Sequence, residues 1–367
     1  MTMASTTRLA SLDALRGFDM FFIMGGQGLV YAVAAALGHP GFAASFGHAE
    51  WHGLQFMDVI FPLFLFMAGV SFPFSCSKSR EKGLGDGKIA LKALRRGVVF
   101  FLLGLVYNDI LQFDFAHLRV WSVLGRIGIA WMVASWIYLC CGVKTRIAIA
   151  VATLALVTVG TILITAPGAP APVDPFSAEG NIGCWLDRTF TAGHTYRPHF
   201  DPEGFAGFLP SIVTAMLGMF AGEIVRRGGS AATVDKALGL AGTGCACLAG
   251  GIALSFVFPV NKALWSPSFT LVAGGISFLA FAAFYWIVDV LGWRRWTFFF
   301  TVIGMNSITI YMAQRVIGFR VARDFLFGGL SSLFPESWDA VVLQLGYIAV
   351  CWLFLYFLHR RGVFLKV

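Results

Sequence analysis

The 367-residue sequence predicts an all-α fold, a polytopic membrane helix bundle of about ten transmembrane helices with both termini cytoplasmic. Three observations carry this. Hydrophobic residues make up 58% of the chain and charged residues 13%, with mean hydropathy +0.77, a balance foreign to a water-exposed domain. The apolar residues gather into runs of about 20, the length a ~30 Å hydrocarbon layer requires of a helix. Lys and Arg fall in short clusters between those runs, where they set topology, so the net charge of +8 speaks for membrane orientation and against a nucleic-acid partner.

The runs fall, in order, near 17–37, 55–75, 97–113, 121–141, 147–166, 206–225, 239–258, 269–291, 297–318 and 339–358. The third is short and the fourth is interrupted by Arg126. The first is too long for the apolar region of a secretory signal and nine further spans follow, so it is predicted to be retained as a helix. Alternation across ten spans puts Arg8, Arg16, Lys78, Arg80, Lys82, Lys88, Lys92, Arg95, Arg96, Lys144, Arg146, Arg226, Arg227, Lys236, Arg294, Arg295, Arg360, Arg361 and Lys366 on one side. These are 19 of the 27 basic residues, and that side is predicted to be cytoplasmic. Six cysteines lie in or at the edges of spans; Cys184 lies well out on the far side, without an obvious disulfide partner.

The chain is predicted to be one domain over 1–367, with two hydrophilic segments of note. The basic cytoplasmic loop at about 76–96, "CSKSREKGLGDGKIALKALRR", either sets topology or docks a phosphate-bearing cofactor. The extracytoplasmic loop at about 167–205 begins as a Pro-rich linker and then concentrates Trp185, Asp187, Arg188, His194, Tyr196, Arg197, His199, Asp201 and Glu203. Aromatic and bidentate polar groups together suit a sugar, and a solvated loop has the same composition.

The stretch "FGHAEWHGLQFMDVIFPLFLFMAGV", residues 46–70, sets His48, His52 and Asp58 at the entrance to the second helix. A neutral imidazole near pH 7 is well matched to accept a proton from an attacking amine or hydroxyl. A lone Asp58 inside a span costs a few kcal/mol, which predicts an Arg, His or helix terminus from another span beside it. "HAEWH" lacks the order His-Glu-x-x-His, so no metal ligand set is expected. The "MGGQG" segment lies inside a span with no strand before it and is not a nucleotide fingerprint. Asp13 and Arg16 stand at i, i+3, the spacing of a helix-surface ion pair. Asn306, polar in an apolar span, is expected to bond between helices.

Four separated motifs, "RLASLDALRGFDM", "HAEWHGLQFMDVIFPLFLFMAGVS", "GCWLDRTF…FDPEGFAGFLPSIVTAMLGMFAGEI" and "GMNSITIY", resemble in that order the heparan-alpha-glucosaminide N-acetyltransferase family and its bacterial relatives, over roughly residues 8 to 315. The resemblance implies transmembrane acetylation in the inner (plasma) membrane: acetyl-CoA from the cytoplasmic side, an amino sugar on the other, and a homodimer embedded in membrane lipid. It implies that His48 is catalytic, with Gln27 standing where the family carries an asparagine and Asp58 beside them. "D-P-E-G" matches Asp201 to Gly204 and "L-D-R" matches Leu186 to Arg188, while Gln314 stands where the family carries a histidine.

A bundle of this size can enclose a slot for the pantetheine arm, so that the thioester reaches the far side where His48 waits. As general base His48 takes the amine proton, a contribution of about 10²–10⁴-fold; as nucleophile it forms an acetyl-imidazole with ping-pong kinetics. The base in a ternary complex is preferred. Arg16, Arg95 and Arg96 are the candidates to hold the CoA phosphates, with Asn306 also on the cofactor side. Trp51, His52, Asp187, Arg188, Asp201 and Glu203 are the candidates to hold the acceptor. The alternative is a secondary transporter for amino sugars, which would use the same polar residues without chemistry; the inverted repeat and paired broken helices of many such folds are not visible.

Overall fold

In a hydrocarbon layer the backbone has no water to bond, and a helix satisfies every interior N–H and C=O within its own segment, so apolar runs of this length fold as helices. The computed structural model describes residues 9–229 and 231–365; Arg8 and Lys366, used above for orientation, lie outside the described residues. The elements are α1 (Ala10–Ala36), α2 (Phe56–Glu81), α3 (Asp86–Tyr107), α4 (Val123–Cys140), α5 (Val143–Leu163), α6 (Ile182–Phe190), α7 (Phe208–Arg226), α8 (Val234–Ser255), α9 (Pro267–Val290), α10 (Phe298–Met305), α11 (Ser307–Val316), α12 (Phe319–Ser331) and α13 (Glu336–Arg360). Among the described residues the only strand-like pairing is one isolated bridge, Thr165 to Asn181.

Each of the ten predicted runs has a helical counterpart. Among the described residues eight helices are long and apolar enough to cross a membrane, and α10 with α11, bent by 59°, makes a ninth if the pair is one span. The remaining run is the second half of α3, whose first half carries Lys88, Lys92, Arg95 and Arg96. The chain is a multi-pass membrane protein. The basic segment at 76–96 is not a loop: α2 continues to Glu81 and α3 starts at Asp86. Good helix formers carry both ends, and the Arg80 guanidinium grips Asp86 through two bonds of 2.9 and 3.0 Å across the short turn.

The core sits where α2 crosses α7. In each, 72% of the most apolar 18 residues are buried, against 28% in α5 and α13 and 22% in α8, which present their apolar surface outward. The crossing is close because Gly69 and Gly218 face each other; a Cβ on either would strike a backbone carbonyl of the other helix, Ala215 or Phe66. Around this pair α3 packs on α4, α8 on α9, α1 on α10, and α12 on α13. α1 is bent at a wider turn over Phe22–Gly26, where Gly25 holds φ 142° and its carbonyl accepts from Gln344 at 2.9 Å.

Four connections meet at one end of the bundle, here the loop end: residues 37–55, 108–122, 164–207 and 256–266. Gly53 N–H donates to Val260 O at 2.8 Å, Trp51 Nε1 to Phe176 O at 2.9 Å, and Val120 N–H to His194 O at 3.2 Å. Within 164–207, α6 is capped by Asn181, which accepts from Gly183 and Cys184. Cys184 is free and packs with Phe258 and Leu264. The opposite end, with the α2–α3 turn, is the basic end.

Candidate active site

The site begins at the first turn of α2, where backbone N–H groups have no partner inside the helix. Asp58 fills that need. Its Oδ2 accepts from Gln55 N–H at 2.9 Å and from Ala49 N–H at 3.1 Å, and its Oδ1 meets His48 Nδ1 at 2.7 Å. The carboxylate is buried at 1% exposure while the imidazole is 53% exposed. The cost of the buried charge is met by these bonds and by a third chain segment: Lys262 Nζ lies 3.5 Å from Asp58 Oδ1 and 3.0 Å from His48 Nδ1. Asp58 therefore does find a histidine and a helix terminus, both from its own helix entrance rather than from another span.

This arrangement fixes what His48 can do. With Nδ1–H donating to Asp58, the lone pair rests on Nε2, the nitrogen of a general base or nucleophile. Beside it opens a cavity of about 150 Å³ lined by Met20 and Ile23 of α1, Ile60 and Phe64 of α2, Ile127 of α4, and Ile308 and Tyr311 of α11. His48, Lys262 and Tyr311 are the polar side chains of that lining among the described residues.

His48 and His52 precede α2, so they do not share a helix face. His52 Nδ1 lies 3.4 Å from Asn261 Nδ2, and Trp51 sets its ring edge against Phe200 at 5.0 Å. Gln27 does not line the cavity. Its amide donates to Phe46 O at 3.2 Å and Tyr31 Oη at 3.0 Å, so Gln27, expected among the catalytic residues, ties α1 to the segment carrying His48.

The second loop is built around carboxylates. Asp201, fully buried, takes both arms of Arg119 at 2.6 and 2.8 Å and the N–H groups of Tyr196 and Glu203 at 2.9 Å. Arg119 also bonds Glu203 and lies 4.7 Å over the Tyr196 ring. Asp187, fully buried, accepts from Phe205 N–H at 2.7 Å; burial pushes its carboxyl up to about 6. Arg188 donates to the carbonyls of Ala178, Glu179 and His199 at 2.7–2.9 Å. Asp187, Arg188 and Asp201, expected to touch an acceptor, are committed to folding this loop. Glu203 differs, because its charge reaches Lys262 and Tyr311 beside the cavity. Arg126 of α4, 2% exposed, anchors the loop from below by donating to Gly204 O at 2.5 Å.

At the basic end Arg16 donates to Ser71 Oγ at 3.1 Å and lies 3.7 Å from Asp13, the predicted i, i+3 pair. Arg96 stacks over Trp131 at 4.6 Å and Phe100 at 5.5 Å, close enough for its charge and that of Arg16 to repel. Arg95 is exposed on the outer face of α3, about 100° around the helix, and does not join them. Asn306 sits at the α10–α11 bend, donating to Val363 O at 3.1 Å and accepting from Thr309 at 3.3 Å, and so pins the C-terminal segment.

Sequence reading missed Lys262, Arg119, Arg126 and Tyr311 as site components. Lys262 carried a signal as the single charge in "PVNKALW" between two apolar runs, Arg126 as the charge that interrupts the fourth run, and Tyr311 as the end of "GMNSITIY"; Arg119 carried none.

A family model described as heparan-alpha-glucosaminide N-acetyltransferase, catalytic, matches residues 8–258. Heparan-alpha-glucosaminide N-acetyltransferase of Homo sapiens is 25% identical to this chain over 98% of its length, and the enzyme of Mus musculus 24% identical over 98%. The matches cover 60% and 62% of those relatives, so the chain spans about three fifths of their length.

Proposed function

The chain belongs to the heparan-alpha-glucosaminide N-acetyltransferase family, and on that premise we propose that it transfers an acetyl group from acetyl-CoA to the amine of a glucosamine-type amino sugar. The donor enters from the basic end, taken as cytoplasmic with both termini, in an inner (plasma) membrane; the acceptor enters at the loop end. The observation that carries this reading is the His48–Asp58 pair at 2.7 Å beside an apolar cavity that leads into the bundle.

The same helices support the donor path. Phe64 and Ser71 on α2 are seven residues apart, about 10 Å at 1.5 Å per residue. Met20 to Arg16 on α1 and Ile127 to Trp131 on α4 are four apart, about 6 Å. The inner end of the cavity is thus one to two helical turns from the level at which Arg16 and the Arg96–Trp131 stack could hold CoA phosphates. A pantetheine arm is flexible and long enough to bridge that distance.

In the reaction His48 Nε2 takes the proton of the attacking amine while Asp58 holds the imidazole in the required tautomer and steadies the imidazolium. Glu203, whose charge reaches the cavity, stands to orient the amine, and Trp51 and His52 to border the sugar. The test is free CoA release by the purified, reconstituted chain given acetyl-CoA and glucosamine. Acceptor-dependent release supports transfer. Accumulation of the sugar in vesicles with no CoA release selects a transporter instead.

A further inference from the structure

We propose that Lys262 is a catalytic residue: its Nζ donates to the acyl carbonyl oxygen of the donor and holds the oxyanion that forms when the amine attacks. This rests on the acetyl-transfer reading above.

The position comes first. Lys262 lines the same cavity as His48, with Nζ 3.0 Å from His48 Nδ1 and 3.5 Å from Asp58 Oδ1. An oxyanion formed against His48 in that cavity has few side chains to turn to. His48 is engaged as the base. The Tyr311 ring is held in a stack on Tyr107 at 4.5 Å. Gln27 is spent on Phe46 and Tyr31.

Bond counting points the same way. One ring nitrogen cannot both donate to Asp58 and accept from Lys262. In the tautomer that leaves Nε2 basic, Nδ1 is the donor to Asp58, so it offers Lys262 nothing to donate to. The ammonium then gives one proton to Asp58 and has two left for an acceptor in the cavity. Burial works against that ammonium and lowers its pKa, while the charges of Asp58 and Glu203 sustain it.

The turn that carries Lys262 is rigid, which an oxyanion donor needs because reorganisation at the moment of reaction wastes its effect. Asn261, fully buried, accepts from Leu264 N–H at 2.8 Å and gives its own N–H to Ser266 Oγ at 3.0 Å. Trp265 is fully buried with φ 47° and donates to Thr214 Oγ1 at 3.1 Å. Lys262 is therefore held from both sides.

The step balances as follows. The amine nitrogen bonds the thioester carbon, the carbonyl π pair moves to oxygen beside the Lys262 ammonium, and the amine proton passes to His48 Nε2. The oxyanion collapses, the C–S bond breaks, and the departing sulfur takes the proton from His48, leaving amide and CoA thiol.

Infrared difference spectroscopy of acetyl-CoA carrying a ¹³C carbonyl tests this without an acceptor sugar, since a C=O that accepts from an ammonium vibrates at lower frequency. The band is expected downshifted on the full-length wild-type chain and returned toward its free position in Lys262→Met, with the dissociation constant changed less than about threefold. Turnover by Lys262→Met falls about 10²–10³-fold, the size of one lost oxyanion donor. Aminoethylated Lys262→Cys, with the wild type treated alongside, regains both shift and rate. An unshifted wild-type band, or Lys262→Met turnover within about threefold of wild type, overturns the assignment. If His48→Ala keeps full turnover while the shift persists, the base reading falls and Lys262 stands; if acetyl-CoA fails to bind at all, both fall.

Discussion

The surroundings of His48 and those of Arg96 hold their charges differently. At the loop end Asp58 has four partners, three of them from residues 48–55 and the fourth, Lys262, from the 256–266 connection, and Asp201 has a bidentate arginine plus two N–H groups of its own loop. Toward the basic end Arg96 stands on aromatic faces, and Asp19, fully buried, has no hydrogen bond to either carboxylate oxygen among the described residues. Saturated bonding fixes atoms in place, as a proton-transfer site needs. A guanidinium on aromatic walls, with a second one near it, instead suits a mobile anionic ligand. On the proposed reading, the contrast separates chemistry from donor binding along α1, α2 and α4, which carry groups of both.

The sharpest way to break that separation is at the catalytic pair. His48→Ala and Asp58→Asn are each expected to lower kcat about 10²–10⁴-fold, the second by freeing the tautomer, while acetyl-CoA affinity stays within about threefold. A tenfold loss of affinity by calorimetry would mean the ends are not independent.

The converse substitution is Arg96→Met. It should weaken acetyl-CoA binding about 10–100-fold in a salt-dependent way, with kcat at saturation retained, given ~1.5–3 kcal/mol for a charge-assisted bond. Arg95→Met, on the outer face, should leave binding unchanged; equal losses in the two would remove the inward site.

Gly218→Val tests the shared frame. Pushing α2 from α7 should cost about 1–3 kcal/mol in thermal unfolding and impair both ends together. Loss at one end only would uncouple the frame from the site.

The smallest effect belongs to Asp187. Its carboxyl is raised from 3.8 to about 6 by burial, so its contribution to loop stability is complete below about pH 4 and is lost as pH rises through about 6. Proteolytic nicking within 164–207, normalised to an unfolded peptide, should increase from pH 5 to 7 in the wild type and stay flat in Asp187→Asn.

The spans were legible because lipid imposes a length and a composition that a single window detects. The spacing of Gln55 and Asp58, three apart before an apolar run, is a local signal of the helix start that the sequence reading did not use. The basic segment was misread as a loop because charge was weighed above helix propensity, and Arg95 was grouped with Arg96 although neighbours on a helix face different ways. Lys262 and Arg119 meet His48 and Asp201 across 214 and 82 residues, and such pairings are set by how loops fold over one another, which no local pattern encodes. Asp187 and Asp201 looked like ligand groups because buried and exposed carboxylates read alike until their partners are known.

The central claim is that an acetyl group supplied at the basic end is transferred at His48 on the other side. Proteoliposomes with the basic end outward, glucosamine trapped inside and radiolabelled acetyl-CoA added outside test it directly. Labelled N-acetylglucosamine should accumulate in the lumen with stoichiometric CoA release outside, and none should form with His48→Ala. Product appearing only when acceptor and acetyl-CoA share the outer side would contradict it.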